Sequence, residues 1–165
     1  MFNYVFSYKS INNTSYKFGF FKAIIECVYE VNIEGEILLT DVFARFTRIY
    51  WTLIIKHNLK QGSNATRNGK VSINKIFDRY ILENQNLINC EYDIIDDDVK
   101  KCIEHEVYAE CKKYVVGAFY GDTEGCIYSF SLKRNYIKFN PMVLNFIQRY
   151  SISLLSLIIL NGFHF

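Results

Sequence analysis

The stretch VVGAFYGDTEGCIYSFSLKRNYIKF, residues 115–139, decides the fold class. Apolar and aromatic side chains alternate there with small and polar ones, and GDTEG and KRN supply turn chemistry. The pattern predicts three short strands in an antiparallel meander, with residues 120–125 as a hairpin turn. Elsewhere the apolar period is helical rather than two. Phe18, Phe21, Ile25, Val28 and Tyr29 predict a first helix near 15–30, capped by Thr14 or Ser15. Gly35 lies in the break at 31–39. Thr40 then caps a long helix with Asp41 in its first turn, ending before Gly62. QGSNATRNG, residues 61–69, is a linker of concentrated turn formers. Ser72 caps a third helix carrying Ile73, Ile76, Phe77, Tyr80 and Ile81. Asp96 to Asp98 open a fourth, running to about Lys113, and Asn140 followed by Pro141 starts a last one near 141–160. The expected fold is mostly α within the α+β class: four to five helices and a small antiparallel meander near residues 115–139.

At 165 residues the chain is expected to form a single domain over 1–165, long enough to bury a core without staples. Half of it is apolar, with 14 Phe and 13 Tyr, and 22% is charged, which excludes a disordered chain. Five widely spaced cysteines, without a Cys-x-x-Cys pair, and the lack of a signal peptide at the start indicate reduced thiols and a cytoplasmic setting. The richness in Asn, Ile, Lys, Tyr and Phe suits an AT-rich bacterial genome. The longest apolar run, ISLLSLIIL at 152–160, falls short of the roughly twenty residues a bilayer span needs. No membrane association is expected. A tail so apolar on every side does need cover, from a downstream domain or a symmetric partner packed along residues 142–160.

A net charge of +2 hides two opposed blocks. Residues 41–79 carry eight basic groups against two acids, and residues 83–110 carry nine acids against two lysines. In RFTRIYWTLIIKHNLKQG, residues 45–62, a helical wheel puts Arg45, Arg48, Thr52, Lys56 and Lys60 on one side, beside an apolar arc of Val42, Phe46, Ile49, Leu53 and His57. Arg67 and Lys70 in the following loop and Lys75 beyond it extend the cationic surface. Arg45, Arg48, Lys56, Lys60, Arg67, Lys70 and Lys75 are therefore the candidate nucleic-acid contacts, expected to neutralise phosphates. The plainer account is a solvated helix face. Trp51 is expected in the core rather than stacked on a base, and His57 is expected as a hydrogen-bonded core histidine.

Catalytic signals are weak. Cys102, His105 and Glu106 share one side of a predicted helix, yet zinc wants four ligands, and Cys102 is better read as a small core residue. Glu110-Cys-Lys112 has the Glu-x-Lys form of the PD-(D/E)xK nucleases, with Asp93 or Asp96 to Asp98 upstream to share a magnesium ion. It falls at a predicted helix end, where Lys112 and Lys113 answer the helix dipole. The aspartate triplet reads as an N-terminal cap. No catalytic residue, metal site or cofactor is assigned to the chain.

Three segments together, SYKFGFFKAIIE at 15–26, YWTLIIKHNLKQ at 50–61 and VGAFYGDTEGCIYSFSLKRNYIKFNP at 116–141, resemble in that order the N-terminal region of a family of bacterial HNH endonucleases encoded near restriction and phage-defence genes. The resemblance implies the N-terminal part of a longer nuclease: a non-catalytic module positioning DNA for a downstream HNH domain, where a divalent metal would bind. The family's histidine-rich catalytic module has no matching positions among His57, His105 and His164. The alternative is a protein-interaction or oligomerisation module of a defence complex. A magnesium nuclease built on Glu110 and Lys112 ranks third.

Overall fold

The structure, a computed structural model, describes residues 16–57 and 73–162. The expected caps at Thr14, Ser15 and Ser72 and the linker at 61–69 lie outside them. Helix α1 spans Tyr16–Cys27 and is followed by a three-residue strand, β1, Glu36–Leu38. Helix α2, Leu39–Trp51, runs directly into a π-helix, Thr52–Lys56. Then come α3 (Ile73–Glu83), α4 (Asp97–Asp122), the strands β2 (Tyr128–Ser131) and β3 (Tyr136–Phe139), and α5 (Pro141–Gly162). Among the described residues, five α-helices and one small antiparallel sheet make the expected mostly α, α+β fold.

The sheet is assembled differently from the expected meander. Its order is β1-β3-β2, so the third strand comes from residues 36–38, with Ile37 opposite Ile137 and Phe130 opposite Ile137 on the other side. Residues 115–122, expected as a strand, continue α4. Val115, Val116 and Phe119 are all buried from a helical backbone, and the Tyr128 hydroxyl donates to the Val116 carbonyl at 2.8 Å. Two valines and two glycines are weak helix formers, but burying three apolar side chains outweighs a propensity cost of about 1 kcal/mol per glycine. GDTEG is thus a helix end. The Thr123 amide and hydroxyl both donate to the Phe119 carbonyl, and Gly125, at φ 68°, donates its amide to the Tyr120 carbonyl. Residues 132–135 are the true hairpin turn, as KRN indicated.

Helix caps are mixed. Asp96 accepts from the amides of Asp98 and Val99, and Asn140 from that of Met142, as expected. Thr40 caps nothing: α2 begins one residue earlier because Leu39 is already tied to Asn135 by its amide, at 2.9 Å. The π-helix has the wider i+5 spacing, the His57 amide reaching the Thr52 carbonyl. That extra residue per turn rotates the chain beyond it, so His57 is exposed and not in the core.

The core lies where α1 crosses α2, roofed by α4 and the sheet. Phe20 sits at its centre, ringed by Phe43, Phe46, Phe119 and Tyr128 at centroid distances of 5.8 to 6.4 Å. Trp51 is a core residue as expected, with its indole N–H donated to the Cys90 carbonyl at 2.9 Å.

Candidate functional site

The helix that carries the predicted phosphate contacts faces inward onto acids. Arg45 is bonded to the Glu30 carboxylate and to the Asp41 carbonyl. Arg48 reaches Glu26 at 3.0 Å, and Lys56 reaches Glu91 at 3.0 Å. Lys75 is exposed on α3, and Lys60, Arg67 and Lys70 lie outside the described residues. Arg45, Arg48 and Lys56 are therefore each paired with a carboxylate, the last two at the surface. The same holds for the two charge blocks: Lys56–Glu91 and Arg79–Glu106 join the basic segment to the acidic one. Segregation along the chain becomes pairing across it.

Arg45 and Arg48, one helical turn apart, line a cleft of about 660 Å³ floored by α1 and closed on one side by Ser151 and Leu155 of α5. Glu26, Glu30 and Glu104 share it, so acids outnumber the two arginines. Burial, with a hydrogen bond donated to Glu104 at 2.8 Å, pushes the Tyr92 hydroxyl well above the ordinary tyrosine range. It stays protonated near neutral pH.

The geometry gives little to the weaker chemical readings. No group of three or more metal-ligating side chains forms among the described residues. Cys102 is exposed rather than in the core, and Cys111 is the buried one. Glu110 and Lys112 sit in the middle of α4, not at its end, because the helix runs on to Asp122. Lys112 lies over the Tyr108 ring, 4.1 Å from its centroid, so a cation–π contact and not the helix dipole accounts for it. All five cysteines are free, and burial pushes the Cys27 and Cys111 thiols up to about 12. A thiol reagent at pH 8 is expected to modify Cys102 and Cys126 fast, Cys90 more slowly, and all five only in denaturant. Rapid labelling of Cys111 in the native protein would contradict the packing of α4.

Helix α5 is the feature that sequence reasoning located correctly. Ile147, Leu154 and Ile158 are buried against the body. Gln148 donates to the Val28 carbonyl at 2.7 Å, and the Tyr29 hydroxyl donates to the Gln148 carbonyl at 2.5 Å. Two residues on, Tyr150 leaves helical geometry (φ −114°, ψ 18°). A side chain competing for a ladder carbonyl is an established cause of such a kink. The rest of the helix faces outward with Met142 81%, Ile152 81% and Leu160 72% exposed, beside Phe146, Tyr150, Leu157 and Ile159. By length and composition Pro141–Leu160 could cross a membrane, which the nine-residue run alone did not indicate. No protein-family model, no curated protein and no solved structure matches the chain.

Proposed function

We propose that the chain is a non-catalytic protein-interaction module that associates with a second copy of itself through α5. The observation that carries this is the outward face of that helix: large apolar side chains stand in solvent from Met142 to Leu160, about 28 Å of helix, with Arg149 as the one charge. A two-fold partner fits this face because the commonest assemblies are self-complementary pairs. Antiparallel crossing about Ser153 keeps the two Arg149 side chains about 12 Å apart, whereas parallel pairing would oppose like charges. Small Ser153 and Ser156 let the helices approach. On the resemblance to HNH endonuclease N-terminal regions, such a pair would dock beside a nuclease domain.

DNA positioning through the basic helix is supported by fewer groups. Three of the seven candidate cations, Arg45, Arg48 and Lys56, are already matched to carboxylates, and Lys75 is the one described candidate with no ion pair among the described residues.

Light scattering at concentrations on the order of 100 µM, well above a micromolar dissociation constant, is expected to report a dimer. Ile152→Glu with Leu160→Glu is expected to give a monomer with the far-UV circular dichroism of the wild type, since both side chains are exposed on the single chain, and an unfolding temperature lowered by loss of the dimer. A wild-type monomer, or a chain that floats with phospholipid vesicles instead of pairing, overturns the proposal.

A further inference from the structure

We propose that the outer face of α4 and the tip of the β2–β3 hairpin form a contact surface for the phosphate backbone of a nucleic acid, separate from the predicted basic helix and from α5. Most described cations are paired with a carboxylate: Lys17 with Asp122, Lys22 and Arg48 with Glu26, Arg45 with Glu30, Arg79 with Glu106, Lys138 with Glu36. Lys112, Lys133 and Arg134 make no ion pair among the described residues, and the two on the hairpin are exposed. Charges left uncompensated are the ones able to release counterions from a polyanion.

One chain of contacts links Lys112 to the hairpin tip that carries the other two. The ammonium of Lys112 lies 4.1 Å from the centre of the Tyr108 ring, and the Tyr108 hydroxyl donates to Asn135 Oδ1 at 2.8 Å. Asn135 Nδ2 donates in turn to Thr40 Oγ1 at 3.3 Å. One tyrosine thus ties the helix to the hairpin tip, and Lys133 and Arg134 are the two residues preceding Asn135. The tip is held in shape. Asn135 takes the left-handed conformation (φ 58°) that asparagine tolerates, and the Arg134 amide donates to Ser131 Oγ at 3.2 Å. A pre-ordered tip loses little side-chain and loop entropy on binding.

The surface has length as well as charge. At 100° per residue, Lys101, His105 and Lys112 fall within about 40° of one another on α4. They extend about 16 Å along the helix, the reach of several phosphates at about 3.4 Å per charge on one strand. Lys101 meets only Asp98, at 3.8 Å and with both side chains mostly exposed, a pairing that water weakens. Past the hairpin tip the open face of the sheet presents Leu38, Ser129, Ser131 and Tyr136, uncharged neighbours among which Glu36 is matched to Lys138. Two lysines on one side of the helix, beside a sheet face whose charges are paired with each other, fit an extended polyanion.

The test is fluorescence anisotropy of a labelled duplex DNA and a labelled single-stranded RNA, titrated at several salt concentrations. Wild type is expected to bind one or both, with affinity falling steeply as salt rises. Lys112→Gln, Lys133→Gln and Arg134→Gln combined are expected to weaken binding at least tenfold and to lower the slope of log affinity against log salt by about two to three. Far-UV circular dichroism verifies that the variant is folded. Charge-neutral changes at Lys56 and Lys75 are expected to leave the slope within about one unit. No binding by wild type, an unchanged slope in the triple variant, or binding of heparin without binding of either nucleic acid overturns the proposal.

Discussion

Trp51→Ala is expected to lower stability by about 3–5 kcal/mol, the range for removing a large aromatic from a packed core. The indole is 1% exposed, with its ring centroid 5.0 Å from that of Phe77 and 6.2 Å from that of Tyr92. It joins α2 to α3 and to the segment before α4. Truncation opens a cavity between three elements and also strands the Cys90 carbonyl, whose donor is the indole N–H. The two effects separate in Trp51→Phe: most of the apolar contact is kept, the donor is lost, and about 1–3 kcal/mol is the expected cost. Urea unfolding followed by far-UV circular dichroism reads both, since the single tryptophan cannot serve as its own reporter. A loss under about 1 kcal/mol for Trp51→Ala would show that α3 does not pack on Trp51.

Phe20→Ala is the second large effect, again about 3–5 kcal/mol. Phe20 is fully buried and meets rings from α2, α4 and β2 at once, two of them on residues that sequence patterning assigned to a sheet. Its removal uncouples the helical layer from the sheet, so neither can relax into the space without losing contact with the other. Phe20→Leu keeps most of the volume and is expected to cost less than about half as much. Equal losses in the two variants would mean that ring geometry, not filled volume, holds the centre together. Gly19, the preceding residue, sets the same crossing. A β-carbon there would lie 2.3 Å from Cε2 of Tyr50, a ring fixed by Phe46 and Tyr16.

The charge pattern shows how a correct local reading leaves open which group stands opposite each charge. Arg45, Arg48 and Lys56 do share one side of a helix, but which group stands opposite each one depends on α1 and on the segment before α4. Glu30 is 15 residues from Arg45, Glu26 is 22 from Arg48, and Glu91 is 35 from Lys56. Once these pairs form, the cations left over include Lys112, Lys133 and Arg134, which looked unremarkable as a helix-end lysine and a turn. The exposed apolar face of α5 was easier to find. A helix apolar on all sides cannot bury every side against one neighbour, whatever the rest of the fold does.

What the amino-acid sequence determined by itself is local: the caps at Asp96 and Asn140, the start of α5 at Pro141, the KRN hairpin turn, and a mostly helical chain with a small antiparallel sheet. Such signals act over about four residues, the reach of a capping bond or a single turn. The tertiary structure alone decided that Val115 to Asp122 stay helical, that residues 36–38 supply the third strand, that a π-turn swings His57 into solvent, and that the basic helix meets acids. Each of these outcomes comes from burial and pairing between segments distant along the chain, where the energy of contacts not yet formed in the local sequence outweighs a propensity of about 1 kcal/mol per residue.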